Sequence, residues 1–210
     1  LNNESVGYWN VANAAVRNES NSYTESSLAS GIVRVGYDYK KCYFFTAALR
    51  ADGSSKFRKG HRWGVFPSAA LAWDIAKEPF MQNQHVLKQL KLRGSYGVTG
   101  NQAIGAYSTL GALTNTLYGW GTATGFSGYW ANQFATPDLT WEKTSQVDVG
   151  VDLSLYGIDI SFDWFRKRTT DLLFQKQIPR YNAGGTYWVN DGKLNNVGFE
   201  FSLSTFPVKG

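Results

Sequence analysis

In successive runs between residues 28 and 205 the apolar side chains of this chain return at every second position, a period that strands show and helices do not. Val33, Val35, Tyr37 and Tyr39 share one face of the first run, with Ser30, Arg34 and Asp38 opposite. Tyr43, Phe45, Ala47 and Leu49 then oppose Thr46, Ala48, Arg50 and Asp52, and Trp63, Val65, Pro67, Ala69, Leu71 and Trp73 oppose Gly64, Ser68, Ala70, Ala72 and Asp74. Leu90, Leu92, Tyr96 and Val98 face away from Lys91, Arg93, Ser95 and Thr99. Val147, Val149, Val151 and Leu153 oppose Glu142, Thr144, Gln146, Asp148 and Asp152, and Ile158, Ile160, Phe162 and Trp164 oppose Asp159, Ser161 and Asp163. In the last run Val197, Phe199, Phe201 and Leu203 oppose Glu200, Ser202 and Ser204. The pattern predicts an all-β chain of about seven strands, antiparallel where hairpins join them.

A soluble sandwich also has one wet and one dry strand face. Two features point elsewhere. Full charges crowd the polar face, while the apolar face carries almost none within the strand bodies. Connections also alternate in length: Lys40-Lys41 and Tyr156-Gly157 are tight, whereas 53–62, 100–139 and 169–196 are long. Short turns at one end and long loops at the other mark a transmembrane β-barrel, whose strands need only about 9–11 residues each. On this reading 28–206 are barrel strands with long extracellular loops at 53–62, 100–139 and 169–196, and 1–27 is an extracellular loop region. Tyr37, Tyr39, Tyr43, Trp63, Trp73 and Trp164 form the interfacial aromatic girdle. Residues Phe80 to Leu87 are expected to form a short amphipathic helix in an otherwise tight turn, and Pro67 predicts a bulge or a broken ladder in its strand.

Composition narrows the function. Aromatic residues make up 16% of the chain, including 8 Trp, and mean hydropathy is −0.32, as expected when apolar and polar positions alternate. The single Cys42 excludes an internal disulfide and a thiolate zinc site. The chain is basic, with a net charge of +5, yet no nucleic-acid-binding motif is present. His61 and His85 stand alone, without metal-ligand spacing, and no nucleophile elbow or phosphate loop occurs. The reading is therefore of a protein that binds and passes a ligand, not an enzyme, with no metal and no cofactor.

Candidate site residues follow from chemistry. Arg50, Asp52, Arg93, Glu142, Asp148, Asp152 and Glu200 must point into the lumen, because a charge facing lipid at mid-depth costs about 2–4 kcal/mol. Inter-strand pairing is the plain role for them, and substrate contact the sharper one. Tyr118, Trp120, Phe126, Tyr129 and Trp130 lie in a glycine-rich loop, where flat rings could stack on a sugar or grip a peptide, or pack the loop against a neighbour. Lys56, Arg58, Lys59, His61 and Arg62 form a basic loop suited to solvent or to anionic lipopolysaccharide.

RADGSSKFRKGHRWGVFPSAALAW, LKLRGSYGVTGNQAIGAY, TPDLTWEKTSQVDVGVDLSLYG and NVGFEFSL, in this order and spacing, resemble the barrel of SusC-like TonB-dependent transporters over residues 28 to 205. The departure is Thr136 before Pro137-Asp138, where the family usually has Asn. The resemblance implies a plugged barrel of about 22 strands, import of an oligosaccharide or peptide with a SusD-like surface lipoprotein, and energy from a TonB complex acting through the plug. The plug and TonB box are not within this sequence. Other readings remain open at this point: a siderophore or cobalamin receptor of the same wider group, an outer-membrane barrel enzyme, or a soluble carbohydrate-binding β-sandwich.

Overall fold

The computed structural model describes residues 22–81, 83–84, 86–120, 123–179, 181 and 184–205. His85 lies outside them, as does most of the 1–27 region. Eleven strands are present among the described residues. Seven of them form one antiparallel sheet in the order β1 (Leu28–Tyr39), β2 (Tyr43–Ser54), β3 (Trp63–Asp74), β4 (Leu87–Asn101), β7 (Glu142–Leu155), β8 (Ile158–Thr170) and β11 (Lys193–Thr205). Neighbours in space are neighbours in sequence except where a long connection intervenes.

The register keeps like with like. Tyr39 pairs with Tyr43, Tyr43 with Trp73, and Trp73 with Leu92. Leu92 pairs with Val151, Val151 with Phe162, and Phe162 with Phe201. One sheet face is thus mainly apolar and the other mainly polar, and a register slip of one residue on any strand would invert its faces. The apolar face is exposed in the described chain: Leu71, Val149, Phe199 and Phe201 all stand open.

The turn at Lys40-Lys41 places both lysines at φ 53°, and the Cys42 amide donates to Tyr39 O at 3.0 Å. That is the mirror-image turn whose twist matches flanking strands, here built from residues that tolerate it poorly. Between β3 and β4 the expected helix does not form. Two single 3-10 turns, Ile75–Lys77 and Pro79–Met81, carry the chain, and Leu87 already belongs to β4. Pro79 and the few residues available leave no room for the several turns a helix needs.

No bulge occurs at Pro67 on the β2 side, where the ladder runs without a shift through Leu49↔Pro67. The break falls on the other side. Pairing of β3 with β4 ends at Ser68↔Gly97, so Pro67 stands just beyond the last pair, where a missing donor costs nothing on that side. The outer ends of β3 and β4 diverge, and the Phe66 ring fills the space between them. A Cβ on Gly100 would lie 2.0 Å from that ring. Trp164 also departs from expectation: it is six residues from either end of β8 and belongs to the middle of the apolar face.

The long connections carry structure of their own. β5 (Ala112–Trp120), β6 (Ala123–Gln133), β9 (Leu173–Gln177) and β10 (Thr186–Asn190) build a second sheet in the order β5-β6-β10-β9. Beneath it lies the buried core of the described chain, Phe57, Phe66, Ile104, Leu139 and Trp141, with Leu173 and Trp188 packed against it. The Trp141 ring meets Phe66 edge-on at 5.5 Å and donates from Nε1 to Arg62 O at 2.9 Å. Three connections are therefore tied together at the same end of the sheet.

Candidate functional site

The polar face is organised by ion pairs that span strands. Arg93 on β4 donates from Nη2 to Asp152 Oδ1 at 2.9 Å and to Asp163 Oδ1 at 3.0 Å, and Ser161 Oγ joins the same carboxylates. Its Nε lies 2.7 Å from Asp152 Oδ2 but off the N–H axis, so that contact is an ion pair without a hydrogen bond. One row along, Asp148 accepts from Ser95 Oγ and Gln146 Nε2. Arg50 Nε donates to both oxygens of Asp52 at 2.8 Å. Glu142 accepts from Asn101 and from the Leu173 amide, which clips β9 to the end of β7. Glu200 is opposite Asp163 across the β8–β11 ladder. Strand alternation and register put Arg50, Asp52, Arg93, Glu142, Asp148, Asp152 and Glu200 on one sheet face. Asp163, the second anchor of Arg93, was not singled out from the sequence, because its partner is two strands away and no local spacing announces it.

The loop aromatics do not converge on one spot. In the β5–β6 hairpin Tyr118 pairs with Phe126 and Thr114 with Trp130, so Tyr118, Phe126 and Trp130 share one face. Tyr129, opposite Asn115, is on the other face with Leu113 and Leu117. The Tyr118 ring lies across Gly128, where a Cβ would come within 2.3 Å of it. Trp120 ends β5 opposite Ala123. In the basic loop, Arg62 Nε donates to Phe57 O and Lys56 Nζ to Gln102 O, which ties two of its cations to backbone. His61 Nε2 stands 3.9 Å from Asp138. Among the described residues no group of three metal-ligating side chains occurs.

At the tight-turn end a different cluster forms. Tyr43 and Trp73 stack with ring centroids 6.0 Å apart, and the Trp73 Nε1 donates to Glu78 at 3.0 Å. The Tyr43 hydroxyl and the Cys42 thiol also reach Glu78. These donors hold the Glu78 carboxyl below its ordinary value, Tyr43 contributing most and Trp73 next. Cys42 is buried in the turn, and that burial and the nearby carboxylate push its thiol up.

A seven-stranded antiparallel sheet with one mainly apolar face, one ion-paired face and its strand-bearing long connections at one end is a slice of barrel wall. The family described as TonB dependent receptor-like, beta-barrel, matches residues 2–206. This chain belongs to the TonB-dependent receptor β-barrel family. It is 38% identical over 203 residues to TonB-dependent receptor P3 of Formosa agariphila, covering 95% of this chain and 20% of that protein. It is 36% identical to TonB-dependent receptor SusC of Bacteroides thetaiotaomicron, covering 93% of this chain and 20% of that protein. Among solved structures it is similar to the RagAB peptide importer in its closed-closed state, with TM-score 0.77, 28% identity, and 87% of this chain and 20% of that chain covered. A ferric enterobactin receptor of Pseudomonas aeruginosa is similar in fold alone, with TM-score 0.61 and 16% identity over 93% of this chain and 27% of that chain. The chain spans about a fifth of the length of the curated relatives it matches.

Proposed function

We propose that this chain is part of the wall of an outer-membrane importer for an oligosaccharide or peptide nutrient, working with a SusD-like surface lipoprotein and driven by TonB through the plug of the complete protein. The observation that carries the proposal is the pairing of close likeness to SusC in sequence with close likeness to the RagAB importer in backbone. Siderophore receptors are more distant on both counts. In this reading the long connections face outward. The second sheet and its aromatics Tyr118, Phe126 and Trp130 form the side that meets cargo or lipoprotein, and lipopolysaccharide surrounds the same end of the barrel. In this reading the role is passage of a ligand, not bond chemistry.

The test is to purify the complete protein from outer membranes with its bound partners and identify by mass spectrometry the lipoprotein and the cargo it carries. Uptake of that cargo by cells carrying Tyr118→Ala, Phe126→Ala and Trp130→Ala together is expected to fall, with Tyr129→Ala as the opposite-face comparison. A lone receptor carrying a ferric siderophore would overturn the proposal.

A further inference from the structure

β10 has one edge fully paired and one paired only at its ends. Toward β9 the ladder runs from Thr186↔Gln177 to Asn190↔Leu173. It continues beyond both ends, where Ile178 N donates to Gly185 O and Asp191 N to Leu172 O. Opposed residues of an antiparallel ladder exchange both backbone bonds or neither, in alternation. The odd-numbered residues of β10 therefore bond to β9, and the N–H and C=O of Thr186, Trp188 and Asn190 point to the other edge. The connection 134–140 runs along that edge. Phe134 N donates to Thr186 O at 2.9 Å. At the far end Asn190 accepts on Oδ1 from Thr140 N at 2.8 Å and donates from Nδ2 to Thr140 O at 2.9 Å. Between these ties the N–H and C=O of Trp188 meet no hydrogen-bond partner among the described residues.

The gap has a cause in the sequence. From tie to tie the connection advances from Phe134 to Thr140 while β10 advances only from Thr186 to Asn190. The excess goes into a turn, with Leu139 N donating to Thr136 O at 3.4 Å, and Pro137 has no N–H to lay on β10. A cavity of about 450 Å³ results, lined by 135–139 and by Tyr187 to Asn190. That is within the usual size of ligand sites. Asp138 stands in its lining with a side chain 94% exposed. The nearest cation to it among the described residues is His61, at 3.9 Å, too far for a hydrogen bond. No lysine or arginine lines the cavity.

This lining selects its guest. A free donor and a free acceptor on one strand residue match the C=O and N–H of one residue in an extended peptide, the pairing by which a strand is added to a sheet edge. Ties at both ends of the gap stop a chain from running through it, so a chain end enters. A carboxy terminus would bring a second carboxylate to Asp138 with no cation to offset it. An amino terminus brings an ammonium group, which Asp138 can hold by a charge-assisted hydrogen bond. We propose that this cavity captures the free amino terminus of a peptide, with its ammonium group on Asp138 and its first residues on the open edge at Trp188. The proposal rests on the importer reading above and narrows its cargo to peptide. The site is built by β10 and the 134–140 connection, not by the β5–β6 hairpin that carries Tyr118, Phe126 and Trp130.

The experiment is native mass spectrometry of the complete transporter with its bound lipoprotein, stripped of cargo. It is titrated with short mixed-sequence peptides carrying free amino termini, with the same peptides N-acetylated, and with a mixture of neutral oligosaccharides. The wild type is expected to bind the free-amine peptides about tenfold more tightly than the acetylated ones. Asp138→Asn should abolish that preference, and so should Ala135→Leu, which fills the cavity from its other side. Glu25→Gln, an exposed acid outside the cavity, should preserve it. The second cavity variant carries the test if the first is not recovered folded, by the criterion of heat-dependent gel migration. Equal affinity for the two peptide pools, a preference unchanged in both cavity variants, or binding of oligosaccharides alone each overturns the proposal and leaves the importer reading standing. A receptor that binds neither peptide nor oligosaccharide and carries a ferric siderophore overturns both.

Discussion

Arg93 and Asp163 are on strands that do not touch, and they meet across β7 over Gly150. The three residues share one row of the sheet, Arg93 paired with Gly150 and Gly150 with Asp163. A Cβ at Gly150 would stand 2.1 Å from Asp163 Oδ1 and 3.0 Å from Arg93 Nη2. The glycine is there because the ion pair runs through the space a side chain would take. Gly150→Ala is expected to displace the carboxylate and destabilise the complete barrel by about 1–2 kcal/mol, as overpacking does. Asp163→Asn should cost less, about 0.5–1 kcal/mol, because both partners of the pair are partly open to solvent. Urea unfolding in detergent measures each. The double variant should show less than the sum, since both changes remove the same contact.

Phe66 makes the same kind of demand on Gly100, at 2.0 Å. Gly100→Ala is expected to force the ring out of the wedge between β3 and β4, and Phe66→Ala to empty it, costing about 3–5 kcal/mol. The loss should be local. Hydrogen exchange at 101–111 and 134–141, which share the Trp141 core, should rise in both variants while β7 and β8 stay protected. Uniform exchange across the sheet would show that the wedge does not hold the loops separately.

At the opposite end the Glu78 carboxyl is held below its ordinary value of 4.5 by Tyr43 and Trp73. A depressed folded value means the contribution to stability is complete above 4.5 and is lost as pH falls through the lower folded value. Trp73 fluorescence in the wild type should therefore change on acidification below 4.5. In Glu78→Gln that step should be absent. A step of equal size in both proteins would assign it to another group.

The Lys40-Lys41 turn is strained, with both residues at positive φ. Lys41→Gly relieves it and should stabilise the barrel by about 1 kcal/mol in urea unfolding. Lys40 stands 5.2 Å over the Tyr39 ring, so it is the worse choice for replacement.

Period-two alternation was enough to give seven strands, their two faces, and the placement of Arg50, Arg93, Asp148 and Asp152 on the same face, because a strand's side-chain direction is a local property. It was also enough to separate tight turns from long connections. What alternation does not carry is how strands stack sideways. That Arg93 takes Asp163 and that Tyr129 parts company with Tyr118 depend on register between segments up to 70 residues apart. The second sheet was missed for a related reason: short strands in glycine-rich connections have weak patterning, and they form where a buried core of Phe57, Phe66 and Trp141 gives them something to rest on. The sequence by itself determined which way each side chain points. Only the tertiary structure decided which of them meet, since register is set by the packing of whole strands and not by any one of them.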